Sequence, residues 1–231
     1  MSDAIQKAKE NASKAALSLV EDGQVIGVGS GSTVRKFIEL LGEYMAQNDI
    51  SIHAVPSSLY SEILLRKFGI PTYTLWEYPE IDLTIDGADE VDGNLNLIKG
   101  GGGSHTREKI VAYAAKKFIV IVDFRKVVDK LGSRSPVPVE VIPFSTNLVI
   151  EKLKGLGADP KLRIAEKKFG PVVTDNGNFI VDAKFQYIED PHGIDIKMKE
   201  IPGIVETGLF VNMADTVFVG YEDRVEEMRR R

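Results

Sequence analysis

Residues 24–47, QVIGVGSGSTVRKFIELLGEYMAQ, set the fold class. QVIGVG reads as a short buried strand, SGST as a tight turn, and STVRKFIELLGEYMAQ as the helix that follows. A strand, a glycine-rich turn and a helix in that order make half of a βαβ unit, whose strands lie parallel.

The order repeats on both sides of this stretch. AIQKAKENASKAALSLV has the alanine-rich 3.6-residue period of a helix, with Ser2 or Asp3 to cap it and Gly23 to end it. ISIHAVP and SSLYSEILLRKFG give a second strand and helix. IDLTIDGA, TREKIVAYAAKK and KFIVIVD add a strand, a helix and a strand. Alternation of this kind predicts a Rossmann-like, mostly parallel sheet flanked by helices.

From about Leu131 the pattern changes. SPVPVEVIPF is punctuated by proline, NLVIEKLKGLG is helical, and GPVVTDNGNFIVDAKF reads as a hairpin turning at Asp175, Asn176 and Gly177. A helical stretch near Ile194 and a Pro202-Gly203 break precede two apolar strands, GIVETGLF and DTVFVGY. Strands that follow strands predict a smaller α+β domain, ferredoxin-like, at residues 131–203. Residues 1–130 and 204–231 would form the main domain, the latter as a carboxyl-terminal return to its sheet.

Composition narrows the function. A formal charge of -5 argues against a protein that grips nucleic acid through a broad basic face, and the terminal arginines are too few to reverse that. The absence of cysteine excludes disulfides, thiolate metal sites and a cysteine nucleophile. The amino terminus is amphipathic rather than signal-like, and no run of about twenty apolar residues occurs. A folded cytoplasmic protein without membrane partners is expected.

Four stretches can carry chemistry. GVGSGST, residues 27–33, stands between a strand and a helix, where free N–H groups favour an anion and the hydroxyls of Ser30, Ser32 and Thr33 can donate. It has neither the lysine of a P-loop nor the G-x-G-x-x-G spacing, and the plainer alternative is an ordinary turn with a helix cap. IDGADEVDG crowds Asp86, Asp89, Glu90 and Asp92 at the end of an apolar run, which fits an active site or a solvated acidic turn. Its spacing does not match a calcium loop.

IKGGGGSHTRE places Lys99 beside Gly100, Gly101, Gly102 and Gly103, a cation and several N–H groups together, as in an anion nest. Glu108 then falls in the first turn of a helix, although Ser104, Thr106, Arg107 and Glu108 also suit simple capping. Finally, Lys126 follows a buried strand, a position that by itself reads as surface. None of the histidines, His53, His105 and His192, is assigned a catalytic role.

Together these stretches resemble the type A ribose-5-phosphate isomerase family. GVGSGST, DGADEVDG, IKGGGGSHTREK, LGSRSPVPVEVIP, VVTDNGNFIVD and IPGIVETGLF occur in the family's order and at about its spacing over nearly the whole chain. The resemblance implies reversible conversion of ribose 5-phosphate to ribulose 5-phosphate in the pentose phosphate network, no metal or organic cofactor, and a homodimer or homotetramer. It makes Glu108 the catalytic base, with Asp86, Asp89 and Lys99 in the sugar site. Ser30, Gly31, Ser32, Thr33, Gly87, Ala88, Gly100, Gly101, Gly102, Lys126 and Lys9 would contact substrate. Gly103, Ser104 and His105 depart from the small apolar residues and leucine that many members carry before TREK.

These residue types suit the reaction independently. Isomerisation through an enediolate needs a base for a carbon-bound proton and donors for the developing oxyanion, each well-placed donor contributing about 3 kcal/mol. The alternatives are another sugar-phosphate enzyme on the same scaffold, or a sugar-phosphate-sensing regulatory module. The latter has no need of a base at Glu108 and is expected to carry a DNA-binding segment, which this sequence does not suggest.

Overall fold

A computed structural model describes residues 3–230. Ser2, one of the two expected caps, and Arg231 lie outside the described residues. Asp3 opens the first helix from inside it, where a carboxylate favours the positive end of the macrodipole.

The described residues form two compact units. One comprises the chain up to Ala88, then Arg107–Val127, and the chain from Asn212 onward; the other comprises Asp89–Thr106 and Val128–Val211.

The first unit contains helices α1 (Asp3–Leu17), α2 (Ser32–Asn48) and α3 (Leu59–Lys67). Its strands are β1 (Val25–Val28), β2 (His53–Pro56), β3 (Leu83–Asp86), β6 (Phe118–Asp123), β12 (Thr216–Gly220) and β13 (Val225–Arg229). They form one sheet in the order β13-β12-β6-β3-β1-β2, parallel throughout except for the β12–β13 pair. This is the helix-flanked, mostly parallel sheet that the alternating pattern predicts.

The two faces of this sheet carry different residues. Ile26 and Val28 of β1 and Ile85 of β3 join Val34, Phe37, Ile38 and Leu41 of α2 in the main core. That spacing of three and four residues is the helix's apolar stripe. On the opposite face Gly27 lies so close to Thr84 and Val111 that a Cβ there would come within 2.1 Å of the Thr84 hydroxyl. Thr84 Oγ1 donates to the Val111 carbonyl at 3.2 Å, which seats helix α4 (His105–Tyr113) on that face.

The second unit contains a four-stranded antiparallel sheet in the order β10-β7-β9-β8. Its members are β7 (Val137–Val141), β8 (Asp159–Leu162), β9 (Phe179–Lys184) and β10 (Ile204–Thr207), with helices α5 (Thr146–Gly155) and α6 (Pro191–Lys199). Val137, Val139 and Val141 alternate into a core with Val181, Ala183, Val149, Leu153 and Met198, the two-residue period of strands. Glu140 is also buried, on the other face of β7. A small sheet of β4 (Glu90–Val91), β5 (Leu97–Ile98) and β11 (Leu209–Phe210) completes the unit.

The hairpin expected at residues 175–177 is a turn closed by the Gly177 N–H on the Thr174 carbonyl, with Gly177 at φ 82°. Its second arm is β9. The first arm is reduced to one isolated bridge, Val173 to Phe179, while Pro171 bridges Ile164 instead.

Candidate active site

In the first unit the chain leaves β1 for β2 on one side and later enters β3 on the other. The carboxyl ends of β1 and β3 therefore flank a topological switch, where open α/β sheets bind ligands. Val28 pairs with Ile85 there, so the turn after β1 and Asp86 at the end of β3 are brought side by side.

Crowding selects glycine at this junction. A Cβ on Gly29 would stand 1.9 Å from the Asp86 carboxyl carbon, so only glycine lets the turn pass. The Ser30 N–H donates to Asp86 Oδ1 at 3.1 Å, and the Gly87 N–H donates to the same oxygen at 2.7 Å. Ser30 Oγ donates to Glu108 Oε1 at 2.5 Å. Asp86 is 1% exposed and Glu108 3%, so two carboxylates are withheld from water within reach of one serine.

Gly31 caps α2 at φ 109° with no side-chain hydrogen bond to the helix start, so the turn leaves the helix terminus to the backbone. Thr33 is buried; Ser32 is exposed. Lys9, from α1, donates through Nζ to Ser32 Oγ at 2.8 Å. Gln6, Lys9, Ser32, Arg35, Lys36 and Glu39 line one cleft. Burial holds the Lys9 ammonium below the usual lysine pKa, Asp123 opposes that, and Arg125 and Lys126 reinforce it. Lys126, partly buried in the 3-10 turn after β6, thus belongs to the same electrostatic neighbourhood.

The second unit holds the other expected residues. Asp89 accepts from the Gly101 N–H at 2.7 Å. The Gly103 N–H closes a turn on the Gly100 carbonyl at 2.9 Å. Two of the four glycine N–H groups are therefore engaged, one by the Asp89 carboxylate and one within the loop itself. Lys99 is 2% exposed; its backbone N–H donates to the Gly208 carbonyl at 2.9 Å, and its ammonium stands 5.3 Å over the Phe210 ring. Gly100, at φ 104°, lies under the His105 ring, where a Cβ would come within 2.7 Å of Nδ1. His105 is fully buried and bonded to the Glu206 carbonyl at 3.3 Å, which makes it the packing partner of the glycine turn.

The acidic run divides by bonding. Glu90 is fully buried and accepts from the N–H groups of Gly132, Arg134 and Ser135. Asp92 accepts from Asn94 and Asn96. Both stabilise turns. Sequence reasoning misses Phe210, Arg163 and Glu140. The only signal for Phe210 is the GLF of a motif shared with the family, and the other two act on residues far away in sequence, Glu140 accepting from Thr106 Oγ1 and Arg163 donating to the Gly100 carbonyl.

Among the described residues, no group of three or more histidines and carboxylates is arranged to hold a metal ion, and no helix is long and apolar enough to cross a membrane. The first unit thus holds two buried carboxylates beside one serine, and the second holds a buried ammonium beside a glycine turn.

Comparison with known proteins makes this specific. A family model described as ribose 5-phosphate isomerase A (phosphoriboisomerase A) matches residues 53–224. Ribose-5-phosphate isomerase A of Thermosynechococcus vestitus is 50% identical over 94% of this chain and 93% of its own length. Its counterpart in Pyrococcus abyssi is 48% identical over 98% and 99%. The structure of ribose 5-phosphate isomerase A from Methanocaldococcus jannaschii matches with a TM-score of 0.93 at 43% identity, covering 97% of this chain and 99% of that one. A D-ribose-5-phosphate isomerase in complex with phospho-erythronic acid matches with a TM-score of 0.96 at 48% identity, covering 98% and 99%. The chain belongs to the ribose 5-phosphate isomerase A family. It is an aldose-ketose isomerase interconverting ribose 5-phosphate and ribulose 5-phosphate, and the sensing-module reading is not favoured.

Proposed function

We propose that Glu108 is the base of this isomerisation. The observation that carries the assignment is its hydrogen bond from Ser30 Oγ in a site that leaves it 3% exposed, where water does not compete for the carboxylate. In the open-chain aldose the Glu108 carboxylate takes the proton from C2. The electron pair forms the C1–C2 double bond and charge moves to O1. Glu108 then returns the proton to C1 while the O2 hydroxyl gives up its proton and becomes the ketone, and O1 gains one. Atoms and charge balance, with no oxidant or metal.

Lys99 and the N–H groups of the glycine turn stabilise the charge on the oxygens, while Asp86 and Asp89 hold hydroxyls and pass protons between them. Gly87 and Ala88 carry the backbone between these two carboxylates. The phosphate is assigned to Ser30, Gly31, Ser32 and Thr33, at the open terminus of a 17-residue helix, with Lys9 and Lys126 as cations. The complex of a related isomerase with phospho-erythronic acid, a phosphorylated sugar acid, supports a site for a sugar phosphate. We further assign the chain to the cytoplasm as a homodimer or homotetramer, needing neither metal nor organic cofactor.

The test is conversion of ribose 5-phosphate by the wild type and by Glu108→Gln, with and without chelator. Wild-type turnover is expected to survive chelation, and the variant is expected to lose at least roughly a thousandfold in kcat while still binding substrate. Turnover above a tenth of wild type would remove Glu108 as the base.

A further inference from the structure

Arg163 follows β8 directly and reaches back more than sixty residues to the glycine turn. Its Nη1 donates to the carbonyl of Gly100 at 2.9 Å and to that of Gly101 at 3.1 Å. The rest of the guanidinium is fixed by Asp182 of β9: Nε donates to Oδ2 at 2.8 Å and Nη2 to Oδ1. The backbone is fixed as well, by the Arg163 N–H on the Ile180 carbonyl and the Val172 N–H on the Arg163 carbonyl. With side chains only 17% and 23% exposed, this pair is shielded from the screening that weakens surface ion pairs.

Two consecutive carbonyls on one nitrogen have a definite geometric consequence. A trans peptide is planar, with its C=O and N–H pointing in opposite directions. Holding the Gly100 and Gly101 carbonyls toward Arg163 turns the N–H groups of Gly101 and Gly102 away from it. The first of these is the N–H that Asp89 accepts at 2.7 Å. The same peptide geometry turns the second to that side, and Gly102 is exposed, with nothing within 4 Å of an added Cβ. Glycine has the widest backbone freedom of any residue, so a run of four has no intrinsic reason to hold this orientation.

We infer that Arg163, oriented by Asp182, is a positioning residue for the isomerisation: it sets the two peptide planes so that Gly101 secures Asp89 and Gly102 presents its N–H to the developing oxyanion. This rests on the assignment of the glycine turn to charge stabilisation made above. A lysine cannot substitute, because one ammonium cannot span both carbonyls and the Asp182 carboxylate in the planar fork of a guanidinium.

The experiment compares wild type, Arg163→Lys and Arg163→Ala in kcat, KM for ribose 5-phosphate and melting temperature, with Arg163→Ala also assayed in added methylguanidinium. We expect kcat to fall by about tenfold in Arg163→Lys and by about a hundredfold in Arg163→Ala, the scale of one lost oxyanion donor. KM should stay within about threefold, because the phosphate is held elsewhere. Methylguanidinium should restore part of the kcat of Arg163→Ala, which a purely structural lesion would not allow. If Arg163→Ala does not fold, Arg163→Lys carries the test alone. Wild-type kcat in a folded Arg163→Lys overturns the inference. So does a loss of kcat that tracks a fall in melting temperature without rescue. An inactive wild type would instead strike the isomerase assignment itself.

Discussion

In the turn joining β1 to α2, glycine is required by crowding: at Gly29 the neighbouring Asp86 carboxyl occupies the space of a Cβ. In the turn after β5, glycine is required by backbone conformation: Gly100 and Gly103 sit at φ 104° and 84°. The first turn opens onto a 17-residue helix whose start has no side-chain cap, leaving its N–H groups facing outward. The second is closed on itself through Asp89, Gly100 and Arg163. An open helix terminus suits a full dianion that arrives and leaves, and a braced turn suits a smaller charge that forms in place. Under the assignments proposed above, similar composition would serve two electrostatic tasks, separated by which polar groups each turn leaves outward.

That contrast can be broken most sharply at Lys99. Lys99→Ala should lower kcat for ribose 5-phosphate by about a hundredfold or more while leaving KM nearly unchanged, because it removes a stabiliser of transient charge. A rise in KM with kcat intact would move the phosphate to the glycine turn and exchange the two roles. The next effect is smaller. Ser32→Ala combined with Thr33→Ala should raise KM for ribose 5-phosphate by roughly tenfold, the scale of one net hydrogen bond to a charged group. Binding of unphosphorylated ribose, measured as an inhibition constant, should hardly change. An equal loss for both sugars would mean that this turn holds the sugar rather than the phosphate.

The smallest effect concerns pH. Because burial lowers the Lys9 pKa, its ammonium loses its proton earlier than an exposed lysine as pH rises. KM for ribose 5-phosphate should therefore climb on the alkaline side before the ordinary lysine range is reached. Lys9→Arg, which stays charged, should flatten that limb. A wild-type KM that is flat across the alkaline range would exclude Lys9 from the phosphate site.

The first unit was legible because its strands and helices alternate with clear periodicity and its turn after β1 announces itself in GVGSGST. β8 was not. Asp159-Pro160 reads as a turn, and the strand tolerates Pro160 because it lies at the sheet edge, where a missing N–H breaks few ladder bonds. β13 escaped notice for a related reason: VEEMR is charged, as suits an edge strand that must resist further pairing. The pairing of β10 with β7 rather than with the parallel sheet could not be read from its apolar residues alone.

Within the site, the local motifs were legible and the long-range partners were not. Lys9 is placed in the site by the family resemblance alone until Ser32 is found beside it. Nothing in DGADEVDG distinguishes Glu90 from Asp89, because the N–H groups that satisfy Glu90 lie more than forty residues further on. His105 looked like a departure in an active loop. Its ring instead fills the hollow above Gly100, so the unusual residue and the glycine are sterically matched.

The way Lys99 is held has an entropic consequence. A lysine side chain that becomes ordered gives up about 2 kcal/mol of rotamer freedom. Lys99 has already given up much of it at folding, with its backbone tied to Gly208, its ammonium over the Phe210 ring and its surface 2% exposed. An exposed lysine would have to be ordered anew in each catalytic cycle, and that cost would fall on the barrier. Here it falls on the stability of the folded chain, once, before any substrate is met.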